Sequence, residues 1–325
     1  MDALSHALLS FILGKALQLD INLQLLLLVS SISLDIDAIS IRNPEAAFRT
    51  HRGPVHSLLA ALIATAIISL GYTVFTSLPT SSLLSVFPIC FTGAFSHLIL
   101  DLFTTGNMTA LWPISKRNLA LNLTHYIDPT TLGALVTAAL TAALAKTDAS
   151  TSRIVAVAAV AFLTANYAAR CYMKNTATKI IRALDASVIS EVVSLPTLRP
   201  DRWWTIRKTP FRNGYRYEAY QIDSVHKGVL SKDTIESPYI NYFGPVELPI
   251  DSPQKAVARA KRDKRISSSI EKFLLPAVKV TPFDQETWKT FWYDASTKPS
   301  KQESRGIQAT VKTDGTITID SHWTH

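Results

Sequence analysis

The chain has 325 residues, with 33 Lys and Arg against 25 Asp and Glu, a net charge of +8 and two cysteines. Two cysteines in apolar segments, Cys90 and Cys171, argue against a disulfide framework or a cysteine metal site. The basic residues form no run that would argue for nucleic acid, and no nucleic-acid partner is expected. The averages hide a division. Residues 1–190 hold 12 of the Lys and Arg and 9 of the Asp and Glu, so the first part is sparsely charged and the rest has the charge density of ordinary soluble protein.

The N-terminus lacks the basic region of a secretory signal. Six apolar runs follow: Ala3–Leu19, Ile21–Ile39, Leu58–Ser77, Leu83–Leu102, Leu132–Ala145 and Ile154–Ala169. A bilayer core takes about 20 apolar residues per helix. The two middle runs meet that length, while the first, fifth and sixth are marginal. Arg42, Arg49 and Arg52 lie in one loop, Lys116 and Arg117 in the next but one, and Arg170, Lys174, Lys179 and Arg182 follow the sixth run. The positive-inside rule then predicts a polytopic membrane domain of about six helices with both termini cytoplasmic, in the plasma or inner membrane. A soluble helical core is the alternative, and several consecutive uncharged runs count against it.

The membrane domain is expected over 1–170, a helical linker over 171–195, and a small soluble domain, α+β or mainly β, over 196–325. There Trp203–Arg207 and Tyr215–Ile222 alternate as strands do, and Ser252–Ser268 is a basic helical stretch. Ile307–Val311 and Thr316–Asp320 flank Asp314-Gly315, a hairpin signal. No site is apparent in this domain.

The chemistry concentrates around Thr50-His51-Arg52-Gly53-Pro54-Val55-His56-Ser57. Pro54 suits a first helical turn, which would place His56 in the first turn of the third apolar helix. Nine ionisable groups border or enter the apolar runs: His6, Asp35, Asp37, His51, His56, His97, Asp101, His125 and Asp128. The predicted topology puts all nine on one side of the membrane, where buried ionisable groups usually mark function. His97 and Asp101 are four apart and share a helix face, as two ligands of one metal would. Asp35 and Asp37 are two apart, so the second helix is expected to end or unwind there. Such a set suits one or two divalent ions: Zn²⁺, Mn²⁺ or Mg²⁺. Each group also has a plainer reading. His6 alone fits an interfacial polar residue, His97 with Asp101 a hydrogen-bonded pair between helices, Asp128-Pro129 a helix N-cap, and His125 a solvated loop residue.

His51-Arg52-Gly53-x-x-His56-Ser57, Leu34-Asp35-x-Asp37 and Ser96-His97-x-x-x-Asp101-x-x-Thr104, followed by Trp112-Pro113, resemble the YdjM-like inner-membrane metal-dependent hydrolases over roughly residues 1–130. His6 matches the histidine near that family's start. The tail, with Pro200-Asp201-Arg202-Trp203 and the terminal hairpin, resembles a soluble extension found in some members. The sequence departs from the family at Ser33-Leu34, where a proline often precedes the first aspartate. The resemblance implies metal-dependent hydrolysis at the membrane, with His6, Asp35, Asp37, His51, Arg52, His56, His97 and Asp101 as the matching positions.

The residues then lead to a membrane enzyme with His6, Asp35, Asp37, His56, His97 and Asp101 as metal ligands and His51 and Arg52 as catalytic groups. Its expected substrate is an ester, most simply a phosphoester, of a membrane lipid or amphiphile. Two alternatives use the same groups: a cation or proton transporter, or a non-catalytic protein with a structural metal.

Overall fold

The structure, a computed structural model, describes residues 1–35, 53–106, 108–115, 117–144, 148–184, 190–237, 240–241, 248–271, 273–284, 287–296 and 305–323. Two units divide the chain: Met1–Lys174 with Pro196–Asp201, and Asn175–Leu195 with Arg202–His325.

Short acidic and hydroxyl side chains set where the helices of the first unit begin. The Asp2 carboxylate accepts from Ser5 N at the start of α1 (Ala3–Ala16), and Asp20 accepts from Asn22 N and Leu23 N at the start of α2 (Ile21–Ile32). Ser57 Oγ accepts from Ala60 N and opens α3 (Leu58–Phe75). α4 (Leu83–Phe103) begins without such a cap. Asp128 accepts from Thr131 N ahead of α5 (Pro129–Leu144), and Asp148 from Thr151 N ahead of α6 (Ala149–Leu184). Each cap satisfies amide donors that the first helical turn leaves open.

Three of these helices, Leu58–Phe75, the stretch Thr80–Phe103 and Ala149–Leu184, are long and apolar enough to cross a membrane; α1, α2 and α5 are apolar but shorter. The sixth apolar run, expected to be marginal, instead lies inside a helix of 36 residues that carries on through most of the segment read as a linker. Good helix formers such as Ala168, Arg170, Lys174 and Ala177 let it continue past the apolar stretch. Outward positions are apolar, with Leu84 on α4 84% exposed and Val157 on α6 70%. Inward positions mix aliphatic residues such as Ile12, Leu27 and Leu135 with small or polar ones, including Ser10, Ser30, Ser31, Ala61, Thr65 and Ser69. Small and polar residues between the helices are expected where lipid is the solvent and close helix packing holds the bundle together.

α2 and α4 approach each other at backbone distance. A Cβ on Gly93 would stand 2.3 Å from the Leu27 carbonyl oxygen and 3.1 Å from Ser31 N, so only glycine admits this spacing. α1 packs on α2, α4 and α5, and α3 packs on α4.

A second brace ties α6 to α5. Arg170 and Asp128 are fully buried, with Nη2 donating to Asp128 Oδ1 at 2.6 Å. Nε donates to Asn166 Oδ1 at 3.3 Å and Nη1 to the Leu123 carbonyl at 3.4 Å, while Asp128 Oδ2 takes the Thr131 hydroxyl at 2.6 Å.

The second unit is built on two four-stranded antiparallel sheets, in the orders β1-β2-β3-β4 and β5-β6-β7-β8. Its strands are β1 Glu191–Pro196, β2 Arg202–Phe211, β3 Gly214–Asp223, β4 Gly228–Ser237, β5 Pro276–Pro282, β6 Thr287–Asp294, β7 Arg305–Lys312 and β8 Ile317–Trp323. Trp204, Ile206, Tyr217 and Ala219 of the first sheet pack on Leu275, Ala277 and Tyr293 from the second-sheet side. The opposite face of the second sheet, with Trp292, Ile307, Ala309 and Val311, packs on α7 (Pro253–Lys261) and α8 (Lys264–Ile270) through Ala256, Val257, Ala260 and Ile266. Thr178 near the end of α6, Ser194 of β1 and Thr205 of β2 form a hydroxyl chain at 2.8 and 3.0 Å, which seats the end of α6 on the outer face of the first sheet. Glu218 takes Arg207 and Lys232 from the strands on either side. Partial burial pushes its carboxyl up, but the Lys232 and Arg207 hydrogen bonds prevail and hold it below the ordinary carboxylate range. The Asp314-Gly315 hairpin forms as predicted, with Gly315 at φ +83° and Val311 opposite Ile317.

Removing one member of a buried ion pair strands the other without a partner in a medium that solvates it poorly. Arg170→Ala is therefore expected to lower the unfolding free energy of the detergent-solubilised protein by about 3–5 kcal/mol. Arg170→Ala combined with Asp128→Asn should recover part of that loss in the same denaturant titration.

Candidate metal centre

Of the seven aspartates in residues 1–177, Asp2, Asp20, Asp128 and Asp148 are helix caps. Asp35, Asp37 and Asp101 are left, and the two that the structure describes face the same histidines. Asp37, His51 and Arg52 lie outside the described residues.

α2 stops at Ile32 and tightens into a 3₁₀ turn, Ser33–Asp35, as the Asp35-x-Asp37 spacing predicted. Its last residue, Asp35, retains 14% side-chain exposure. His56 is not in the first turn of α3. Pro54–His56 form a separate 3₁₀ turn, and extended Ser57 intervenes as the N-cap. Ser57 Oγ also donates to the Pro54 carbonyl at 2.7 Å, which locks the turn and directs the His56 ring inward, fully buried. α4 carries His97 and Asp101 one turn apart, both buried, and α1 brings fully buried His6.

The donor atoms converge. His56 Nε2 is 3.3 Å from Asp35 Oδ1 and 3.8 Å from Asp101 Oδ2. His97 Nε2 is 3.7 Å from each of Asp35 Oδ1 and Asp101 Oδ2. His6 Nε2 is 3.4 Å from Asp101 Oδ1, and its ring stacks on His97 with centroids 3.8 Å apart. The amino nitrogen of Met1 also lies against Asp101 Oδ1. Ligand atoms ~2.0–2.1 Å from a tetrahedral ion stand ~3.3–3.4 Å apart, close to the shorter of these separations. Two overlapping sets could hold a cation: His6, Asp35 and His97, and His56, His97 and Asp101.

His97 shows how the site is oriented. Its Nδ1 is 2.7 Å from the Ser31 carbonyl, to which it donates, so Nε2 carries the lone pair. That Nε2 is buried and has no hydrogen-bond partner among the described residues. A backbone carbonyl fixing the far nitrogen of an imidazole is the usual second contact of a metal-binding histidine. The Ser31 carbonyl reaches His97 because Gly93, one turn earlier on α4, lets α2 come within backbone contact.

The nine-group convergence expected from sequence is narrower in the structure. His125 is exposed in the α4–α5 connection, and Asp128 is consumed by Arg170 and the α5 cap. Both follow the stretch Leu121–Thr124, which returns to hydrogen-bond the last turn of α4. Ser31 and Gly93 support the site and were not singled out from sequence. A glycine four residues before His97 inside an apolar helix was the available signal.

The family model described as YdjM inner membrane protein matches residues 1–177. The chain belongs to that family. The match takes in the whole first unit up to Lys174, and therefore every residue of the centre. No curated protein matches this chain, and neither does any solved structure.

A methyl group on Gly93 would part α2 from α4 and pull the Ser31 carbonyl away from His97. Gly93→Ala is expected to weaken metal binding by about 10–100-fold, read by competition with a chelating dye. Leu84→Ala, on the outward face of α4, should leave it unchanged.

Proposed function

We propose that this chain is a membrane-bound, metal-dependent hydrolase acting on an ester, most simply a phosphoester, of a lipid or amphiphile. The observation that carries the proposal is the convergence of three buried imidazoles with buried Asp101 and part-buried Asp35 at one end of an apolar bundle. Two carboxylates against the single amino group of Met1 leave the set negative until a cation enters or a histidine is protonated, and net charge in an apolar interior is costly. A mixed nitrogen and oxygen donor set of this kind suits Zn²⁺ or Mn²⁺.

His97 limits how the centre is filled. Its Nδ1 is committed to Ser31, so it offers one lone pair and serves one ion. The two overlapping sets are therefore alternatives, or parts of one site, among the described residues. A second ion would draw on Asp37 and His51. Held by these residues, a divalent ion would supply a water of lowered pKa and a Lewis acid beside the scissile bond.

The chain's own groups supply the rest. Asp101 turns Oδ1 toward His6 and Oδ2 toward His56 and His97, and so presents a carboxylate to all three rings. Asp35, the most exposed of the five, marks the side from which water and substrate enter. His6 or His51 carries away the released proton. Arg52, beside Gly53, is the group proposed to hold the substrate's anion. Six spans with cytoplasmic termini complete the proposed topology.

Transport of a cation or proton is the second reading, and one observation favours it. Thr65 and Ser69 are fully buried on the α3 face that follows His56, and their hydroxyls have no hydrogen-bond partner among the described residues. They could continue a polar path from the cluster.

Elemental analysis of purified protein beside generic phosphoester and lipid-ester assays separates these readings. Wild type is expected to retain metal and turn over substrate, and His56→Ala and Asp101→Ala to lose both. Chelation should abolish turnover, with recovery on adding Zn²⁺ or Mn²⁺. Bound metal without turnover on any ester would reject the enzyme. Cation uptake into vesicles that falls in Thr65→Ala with Ser69→Ala would then support transport.

A further inference from the structure

The 25 residues from Thr104 to Asp128 join α4 to α5, an uncommon length for a connection whose described residues form no helix or strand of their own. They are nevertheless held firmly. Met108 and Leu119 exchange backbone hydrogen bonds at 3.1 and 2.8 Å, and Thr105 N donates to the Thr124 carbonyl at 3.0 Å. Lys174 Nζ donates to the Leu121 carbonyl at 2.6 Å, and Arg170 reaches that of Leu123. Leu58 N, the first amide of α3, donates to the Ala110 carbonyl at 2.9 Å.

What this frame presents is apolar. Ile114 is 94% exposed and Leu111 48%, with Pro113 exposed beside them and Trp112 partly so. The tip is fixed by Trp112 N donating to the Thr109 carbonyl and Ser115 N to that of Leu111, both at 3.0 Å. Exposed Arg117 stands three residues beyond Ile114. A rigid apolar tip in water would carry a standing penalty that burial removes.

We propose that Leu111, Trp112, Pro113 and Ile114 insert among the lipid headgroups of the leaflet at the His/Asp end of the bundle, with Arg117 against an anionic headgroup. Three observations favour lipid over another occupant. The Ala110–Leu58 bond sets the tip level with the end of a membrane-length helix. From that same end α3 presents exposed Leu58, Leu59 and Leu62. Its composition, a tryptophan among aliphatic side chains with a cation alongside, is that of a membrane-interface anchor. The side is fixed because His56 precedes Leu58 by two residues and Asp101 ends the helix from which the loop departs. The proposal does not depend on what the His/Asp centre does.

Ile114→Cys in a Cys171→Ser background takes a fluorescent thiol label, since Cys90 is buried. The full chain is reconstituted in vesicles of phosphatidylcholine with phosphatidylglycerol. Leu84→Cys, on the lipid-facing side of α4, sets the scale for lipid exposure, and Asn213→Cys, in the exposed β2–β3 turn, sets that for water. A lipid spin-labelled near the head of its acyl chain is expected to quench the Ile114 label several-fold more than the Asn213 label, and iodide to quench it less. Iodide quenching equal to that at Asn213, with none from spin-labelled lipid, would overturn the proposal. So would protection from both quenchers, which would mean that protein covers the tip.

Discussion

The first unit depends on one close contact, the backbone approach of α2 to α4 at Gly93. It brings the Ser31 carbonyl to His97 and so fixes which imidazole nitrogen faces the cluster. Around it the inner faces of the helices carry serine, threonine and alanine among buried aliphatic residues such as Leu27 and Leu98. Small side chains permit the approach, the approach places the carbonyl, and the carbonyl orients the ligand. Packing and chemistry in this bundle are therefore one constraint.

Charge in the unit is sorted by the same logic. Four aspartates are spent on helix starts, where they meet open amides, and one of these, Asp128, also neutralises buried Arg170. Neither use requires a ligand. Asp35 and Asp101 do not cap the start of any helix, and both face histidines instead. The reading of the centre rests on that remainder, not on the number of acidic residues.

The second unit follows a different solvent. Its strands bury side chains in hydrophobic cores, with Trp204 and Tyr293 in the one between the two sheets and Trp292 in the one between the second sheet and the helices behind it. The sequence signalled β2, β3, β7 and β8, whose alternation or turn residues are strong. β4 is largely exposed on both faces, so it carries little hydrophobic period. β5 is bounded by prolines at both ends, and β6 mixes aromatic residues with lysine and threonine. These three became strands through the neighbours they pair with, which local pattern does not record.

Composition alone determined that the first part is a helical bundle built for lipid, because runs of uncharged aliphatic residues have no other economical home. The i,i+4 spacing of His97 and Asp101 and the break at Asp35 were equally local, since helix geometry decides both. Only the tertiary structure could decide which distant groups meet. It joined His6, Asp35, His56, His97 and Asp101, diverted Asp128 to Arg170, and left His125 at the surface. Contact between helices depends on both partners, as where Gly93 of α4 meets Leu27 and Ser31 of α2, and the periodicity of one helix carries no trace of which distant segment it will meet.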